Sequence, residues 1–248
     1  MCRLCEEGIV APAPSRRGLF RYLGAAGAYA LAARAVGTAV LAKETKAPPK
    51  PQNVVSPDEA LTLLREGNAR YVKGVAKRHD FRHEREPLTK GQNPYAAILS
   101  CADSRIAPEY AFDSGRGDLF VCRVAGNFAN DDVIASLEYS VAILDTPLIM
   151  VLGHEACGAV DATIKSLKDN TTLPGHLPSL VASLAPAVKA VEGTPGDALT
   201  NAIRQNVVLN VQKLKGATPI IDAAVEQGKL RIVGGIYRLA DGHVEVMA

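Results

Sequence analysis

The chain has 248 residues, 48% apolar and 22% charged, with 28 basic against 26 acidic side chains for a net charge of +2. That much apolar surface excludes a disordered chain, and so even a charge balance gives no basis for nucleic-acid binding. A chain of this length buries enough surface to need no disulfide staples, and its five cysteines form no disulfide framework.

The basic excess is local. Residues 1–42 carry five Arg and two acids, a net of +3, whereas the rest carries 23 basic and 24 acidic groups. Ser15-Arg16-Arg17-Gly18-Leu19-Phe20-Arg21 precedes a 21-residue stretch, Tyr22 to Ala42, made mostly of Ala, Gly, Val and Leu. Paired arginines, a weakly hydrophobic segment and small residues at Val40-Leu41-Ala42 resemble a twin-arginine export signal, although Leu19-Phe20 reverses the usual order. Cleavage is expected after Ala42, which makes the mature protein periplasmic or otherwise exported. The segment is long enough to span a bilayer, but Arg34 and its Gly and Ala content make it a poor lasting anchor. No stable membrane span is therefore expected after cleavage. Cys2 and Cys5 form a C-x-x-C with no second ligand pair and are read as incidental.

Residues 43–55 form a polar, Pro-rich linker, and residues 56–248 a single domain. Ser56-Pro57-Asp58-Glu59 is a helix start: a Ser cap, Pro at the first helical position and Glu three residues after the cap. Leu61, Leu64, Asn68 and Tyr71 continue that helix toward Gly74. The charged run 77–90 is read as a solvated loop, its His79 and His83 included.

Three short apolar runs follow, Tyr95–Ser100, Asp118–Val124 and Pro147–Leu152, and their lack of alternation suits parallel strands buried on both faces. Cys122, inside the second, is expected to be a core thiol. Helices are predicted over Asp131–Leu144, Pro178–Glu192 and Asp197–Leu214, the last with Ala202, Ile203, Val207, Val211 and Leu214 facing inward. Lys229–Tyr237 and His243–Met247 flank Ala240-Asp241-Gly242, a hairpin signal. The alternation predicts an α/β fold: a mostly parallel central sheet of about four to five strands, helices on both faces and an N-terminal helical arm. No G-x-G-x-x-G supports dinucleotide binding.

Reactive residues cluster after two of the strands, where open α/β sheets place their sites. The first run leads into Cys101-Ala102-Asp103-Ser104-Arg105 and the third into His154-Glu155-Ala156-Cys157. Two thiolates and one imidazole are donors that Zn²⁺ prefers, and three protein ligands leave a fourth tetrahedral position for chemistry. Asp103 is close enough in sequence to be either a fourth ligand or a partner of zinc-bound solvent. A guanidinium at Arg105 would keep it ionised and away from the metal.

These segments, with Gly117-Asp118-Leu119-Phe120-Val121-Cys122-Arg123, Ala125-Gly126-Asn127, Ser136-Leu137-Glu138-Tyr139 and the Gly158 that follows Cys157, resemble a β-class carbonic anhydrase in order and spacing. Leu230 to Tyr237 is similar to that family's final strand, while residues 166–200 are the least typical part. The resemblance implies reversible hydration of CO₂ to bicarbonate on a zinc held by Cys101, His154 and Cys157, with Asp103 either taking the fourth site in a closed state or leaving it to water. It also implies that Gln92 contacts substrate across a dimer interface. Phe120 and Tyr139 would form apolar cleft walls and Gly158 would line the substrate site, in a homodimer or a multiple of dimers. Ile98 and Ser100 stand where the allosterically regulated bacterial subgroup has Trp and Gly, so its regulatory bicarbonate pocket is not expected; Val124 replaces a frequent Asn. Two rival readings share the motif: a hydrolase of CS₂ or COS on the same scaffold, and a non-catalytic zinc or thiol protein of the cell envelope.

Overall fold

The computed structural model describes residues 54–80 and 84–247. The expected export leader with Cys2 and Cys5, nearly all of the linker, and His83 lie outside the described residues. Helix α1 (Pro57–Val72) starts as its sequence predicts. The Ser56 hydroxyl accepts from the Glu59 amide at 3.3 Å, and the Glu59 carboxylate accepts from the Ser56 amide at 2.7 Å. This reciprocal cap satisfies two donors that the first turn leaves unpaired.

Five strands follow: β1 (Ala96–Ser100), β2 (Leu119–Arg123), β3 (Leu148–His154), β4 (Arg231–Tyr237) and β5 (Val244–Met247). They form one sheet in the order β2-β1-β3-β4-β5, parallel throughout except for the β4–β5 hairpin. Helix α2 (Arg85–Leu88) precedes β1, and the helices between the strands are α3 (Pro108–Ala111), α4 (Asp131–Ala142), α5 (Gly158–Lys168), α6 (Leu177–Ala190), α7 (Ala198–Lys215) and α8 (Ile221–Glu226). No helix among the described residues is long and apolar enough to cross a membrane.

Side chains alternate across each strand and so build two cores. Ala97 and Leu99 of β1, Ile149 and Val151 of β3, and Ile232 and Ile236 of β4 meet Leu137 of α4, Val160 of α5, Leu184 of α6, Val207 of α7 and Ile221 of α8. The opposite parity, with Ile98, Met150, Leu152 and Val233, meets Leu61 and Leu64 of α1 and the segment from Ile106 to Phe112. Fully apolar runs are needed because both faces are covered.

Two expectations change. The Asp118–Val124 run looks as buried as the others, yet every residue of β2 is only half-buried or exposed, because this strand is the outer edge of the sheet. Cys122 is accordingly a half-buried thiol rather than a core one. The 77–90 run also holds structure that a solvated loop would lack: the one-turn helix α2, and a Lys77 amide donating to the buried Asp113 carboxylate at 2.9 Å.

α1 crosses the 106–112 segment so closely that a Cβ at Gly67 would overlap the carbonyl oxygen of Phe112. Backbone cannot give way as a flexible side chain can. Gly67→Ala is therefore expected to cost about 1–3 kcal/mol of stability, read as a lower urea midpoint at unchanged slope.

Candidate metal centre

β1 leads outward to β2 on one side, and the chain then returns to β3 on the other, so a crevice opens between the carboxyl ends of β1 and β3. Ser100 pairs with Leu152, which places Cys101 and His154 at the same end of neighbouring strands. Cys157 returns to them through a tight turn in which Ala156 adopts a left-handed φ of 51°, a conformation an alanine holds only at a cost of about 1–2 kcal/mol. Cys157 then caps α5. One ligand atom from each of Cys101, His154 and Cys157 lies within 4.8 Å of the other two. All three residues are buried, at 3%, 0% and 2% exposure.

The imidazole is oriented for a ligand. His154 Nδ1 lies 2.8 Å from the Glu155 carbonyl oxygen, which makes it the protonated nitrogen. His154 Nε2 is fully buried and has no hydrogen-bond partner among the described residues. An orphaned buried nitrogen facing two thiols fits a thiophilic divalent cation such as zinc. The Gly126 amide donates to Cys101 Sγ at 3.3 Å. Hydrogen bonding from the Cys157 thiol, more than from this amide, draws the Cys101 thiol down to about 4. The same contact with Cys101, together with burial, pushes Cys157 up. A cation bound between them would displace the thiol proton.

Asp103 is held from one side. Its Oδ1 accepts from the Arg105 amide and from Nε, both at 2.9 Å, and its Oδ2 accepts from Nη2 at 2.7 Å. The Arg105 guanidinium keeps this carboxyl well below the usual carboxylate range. Arg105 also donates to the Ala156 carbonyl at 3.2 Å, tying the two ligand-bearing loops together. Asp103 Oδ2 lies 3.9 Å from His154 Nε2.

The other expected site residues are placed as follows. Phe120 and Tyr139 lie against each other with ring centroids 6.3 Å apart, on the edge strand and on α4. Gly158 is the first residue of α5, and a Cβ there would meet open space. Gln92 is exposed ahead of β1, at the end of the strand opposite Cys101. Five residues of strand separate them by roughly 17 Å, so Gln92 does not reach this chain's own cluster. His176 and His243 are exposed.

Arg123 was not legible as a site residue. In sequence it is only the polar end of an apolar run, but its guanidinium donates to three carbonyls of the 101–106 loop: Cys101 at 3.0 Å, Asp103 at 2.7 Å and Ile106 at 2.8 Å. An arginine closing an apolar run some twenty residues after a cysteine-bearing loop is the signal that could have found it.

A family model described as carbonic anhydrase matches residues 96–244. A carbonic anhydrase of Mycolicibacterium smegmatis is 37% identical over 192 residues, 77% of this chain and 93% of that protein. Carbonic anhydrase 2 of Mycobacterium tuberculosis is 38% identical over 188 residues, 75% of this chain and 91% of its own length. Among solved structures, the β-carbonic anhydrase CcaA is similar with a TM-score of 0.59 and 29% identity, covering 77% of this chain and 93% of that one.

Arg123→Met would release three loop carbonyls without touching a ligand. Zinc affinity, measured by competition with a chromophoric chelator, is expected to fall about tenfold, with a loss of stability near 1 kcal/mol.

Proposed function

The chain belongs to the β-class carbonic anhydrase family, and from that premise we propose that it interconverts CO₂ and bicarbonate on a zinc ion held by Cys101 Sγ, His154 Nε2 and Cys157 Sγ. The observation that carries the ligand assignment is the buried triad itself, in which two thiols face an imidazole nitrogen that has no hydrogen-bond partner among the described residues. When bound, zinc supplies a water acidic enough to act as a nucleophile near neutral pH.

The remaining work falls to the chain's own residues. Among the described residues, the Asp103 carboxylate accepts hydrogen bonds only from Arg105, which holds both of its oxygens. This arrangement supports Asp103 as an ionised acceptor that orients the nucleophile, in preference to a fourth ligand. Phe120 and Tyr139 supply an apolar wall suited to a substrate with no net dipole. The edge of β2, unpaired among the described residues and accompanied by Tyr139 of α4 and its C-cap Ile143 at 48% and 58% exposure, favours a homodimer. Gln92 would then serve the partner's cleft, as its distance from its own supports. The leader supports an exported, periplasmic enzyme.

The experiment is zinc content together with CO₂ hydration followed in stopped flow. One zinc per chain and rapid hydration are expected, and Cys101→Ser should lose both. Asp103→Ala should keep its zinc yet lose at least about 100-fold in turnover; undiminished turnover would remove Asp103 from the mechanism. A folded wild-type chain that takes up no zinc would overturn the assignment as a whole.

The pH dependence has a definite sign. Asp103 has a depressed folded pKa, so its ion pair with Arg105 is intact above the ordinary carboxylate range and is lost only as pH falls through the depressed value. Arg105→Gln removes the main cause of the depression, so the acid limb of the rate profile should move to higher pH.

A further inference from the structure

Helix α7 carries two asparagines on its buried stripe, Asn206 at 2% and Asn210 at 7% exposure, at positions where core packing alone would call for apolar residues. Buried amides need partners, and these find them in the loop that follows β2. Asn206 Nδ2 donates to the Gly126 carbonyl at 2.8 Å. Asn210 Nδ2 donates to Asn206 Oδ1 at 3.0 Å, while Asn210 Oδ1 accepts from the Ala129 amide at 2.7 Å. One turn further on, Lys213 Nζ donates to the Ala129 carbonyl at 2.6 Å. Three side chains on one face of α7 thus grip both ends of the 126–129 segment. Each amide can be oriented only one way, because reversing Asn206 would set two acceptors against each other at Gly126.

The gripped loop reaches the metal ligands. The Asn127 amide donates to the Val124 carbonyl at 2.9 Å, closing a turn in which Gly126 has a φ of +83°. A Cβ there would lie 2.8 Å from Leu184 Cδ1, so the position is restricted by packing as well as by backbone. The turn aims the Gly126 amide at Cys101 Sγ.

We propose that Asn206 is a positioning residue for the Cys101 thiolate. Through the Gly126 carbonyl it fixes the turn whose amide hydrogen-bonds the sulfur, and Asn210 holds Asn206 in place. This rests on the metal reading above and adds to it a brace some distance from the ligands. An amide donating to a thiolate draws charge from the sulfur and fixes its direction. Without the brace, the sulfur should be more electron-rich and less well aimed.

The test uses the full chain stripped of metal and reloaded with Co²⁺, whose thiolate-to-metal charge-transfer band reports on the Cys101 and Cys157 sulfurs independently of turnover. Asn206→Leu, close in shape but unable to donate, should shift that band to longer wavelength and weaken Co²⁺ binding about tenfold. Asn210→Ala should shift it in the same direction by less, and it decides the matter if Asn206→Leu does not fold. Leu214→Ala, a buried truncation at the far end of the same helix, should lower the Tm but leave band and affinity unchanged. A folded Asn206→Leu with the wild-type band and affinity overturns the proposal alone, as does Leu214→Ala shifting both equally. A wild-type chain that shows no thiolate band with Co²⁺ overturns the metal reading, and this proposal with it.

Discussion

Parallel pairing of β1 with β3 sets Ser100 beside Leu152, and the chain leaves both strands at the same end of the sheet. Everything at the site depends on that adjacency. Two segments more than fifty residues apart deliver a thiol and an imidazole to one point because their strands are neighbours in register and their C-termini are level. Register in turn is held by burial on both faces: a slip of one residue would exchange Ile149 and Val151 for Met150 and Leu152 across two differently shaped cores. The ligand geometry is therefore guarded by the hydrophobic packing of the strands behind it, with little need for flexible side chains to search for one another.

That division explains which parts could be read from the sequence. Cys101, Asp103, Arg105, His154 and Cys157 were legible because each sits in a short run whose order implies a strand end followed by reactive groups. The capping box at Ser56 and the β4–β5 hairpin were legible because their signals are local. The position of β2 at the sheet edge was not, since Leu119–Cys122 is as apolar as any central strand, and only topology separates an edge from a core. The apolar stripe of α7 was found from its periodicity. Nothing in the sequence marks Asn206 and Asn210 on that same stripe, because their partners are backbone groups some eighty residues away. Side chains that bond to distant main chain leave no pattern in sequence.

Backbone carbonyls are in fact the common currency of the support around the triad. Arg123 binds three of them, Arg105 binds that of Ala156, and Asn206 and Lys213 bind those of Gly126 and Ala129. The reason lies in the loops themselves. Segments 101–106, 124–129 and 154–157 leave regular strand pairing at the point where they must be most accurately placed, and each carries polar groups that a ladder would otherwise satisfy. Side chains from β2, from α7 and from the 101–106 loop itself replace the missing ladder and hold each loop at a chosen orientation.

Asp103 and Arg105 differ from this scaffold in one respect that bears on chemistry. The three ligand residues are sealed from solvent, but the side chains of Asp103 and Arg105 remain 17% and 50% exposed. An ion pair that is partly wet is weaker than a buried one and can exchange partners at modest cost. If the triad holds zinc and Asp103 orients a nucleophile, as proposed, the triad must keep its positions whatever is bound between its members, whereas the carboxylate must respond to a change of charge beside it. Rigid ligands in the core and a solvent-touched acid at its rim satisfy both demands, and the sheet supplies the boundary between them at the end of β1, two residues apart in the chain.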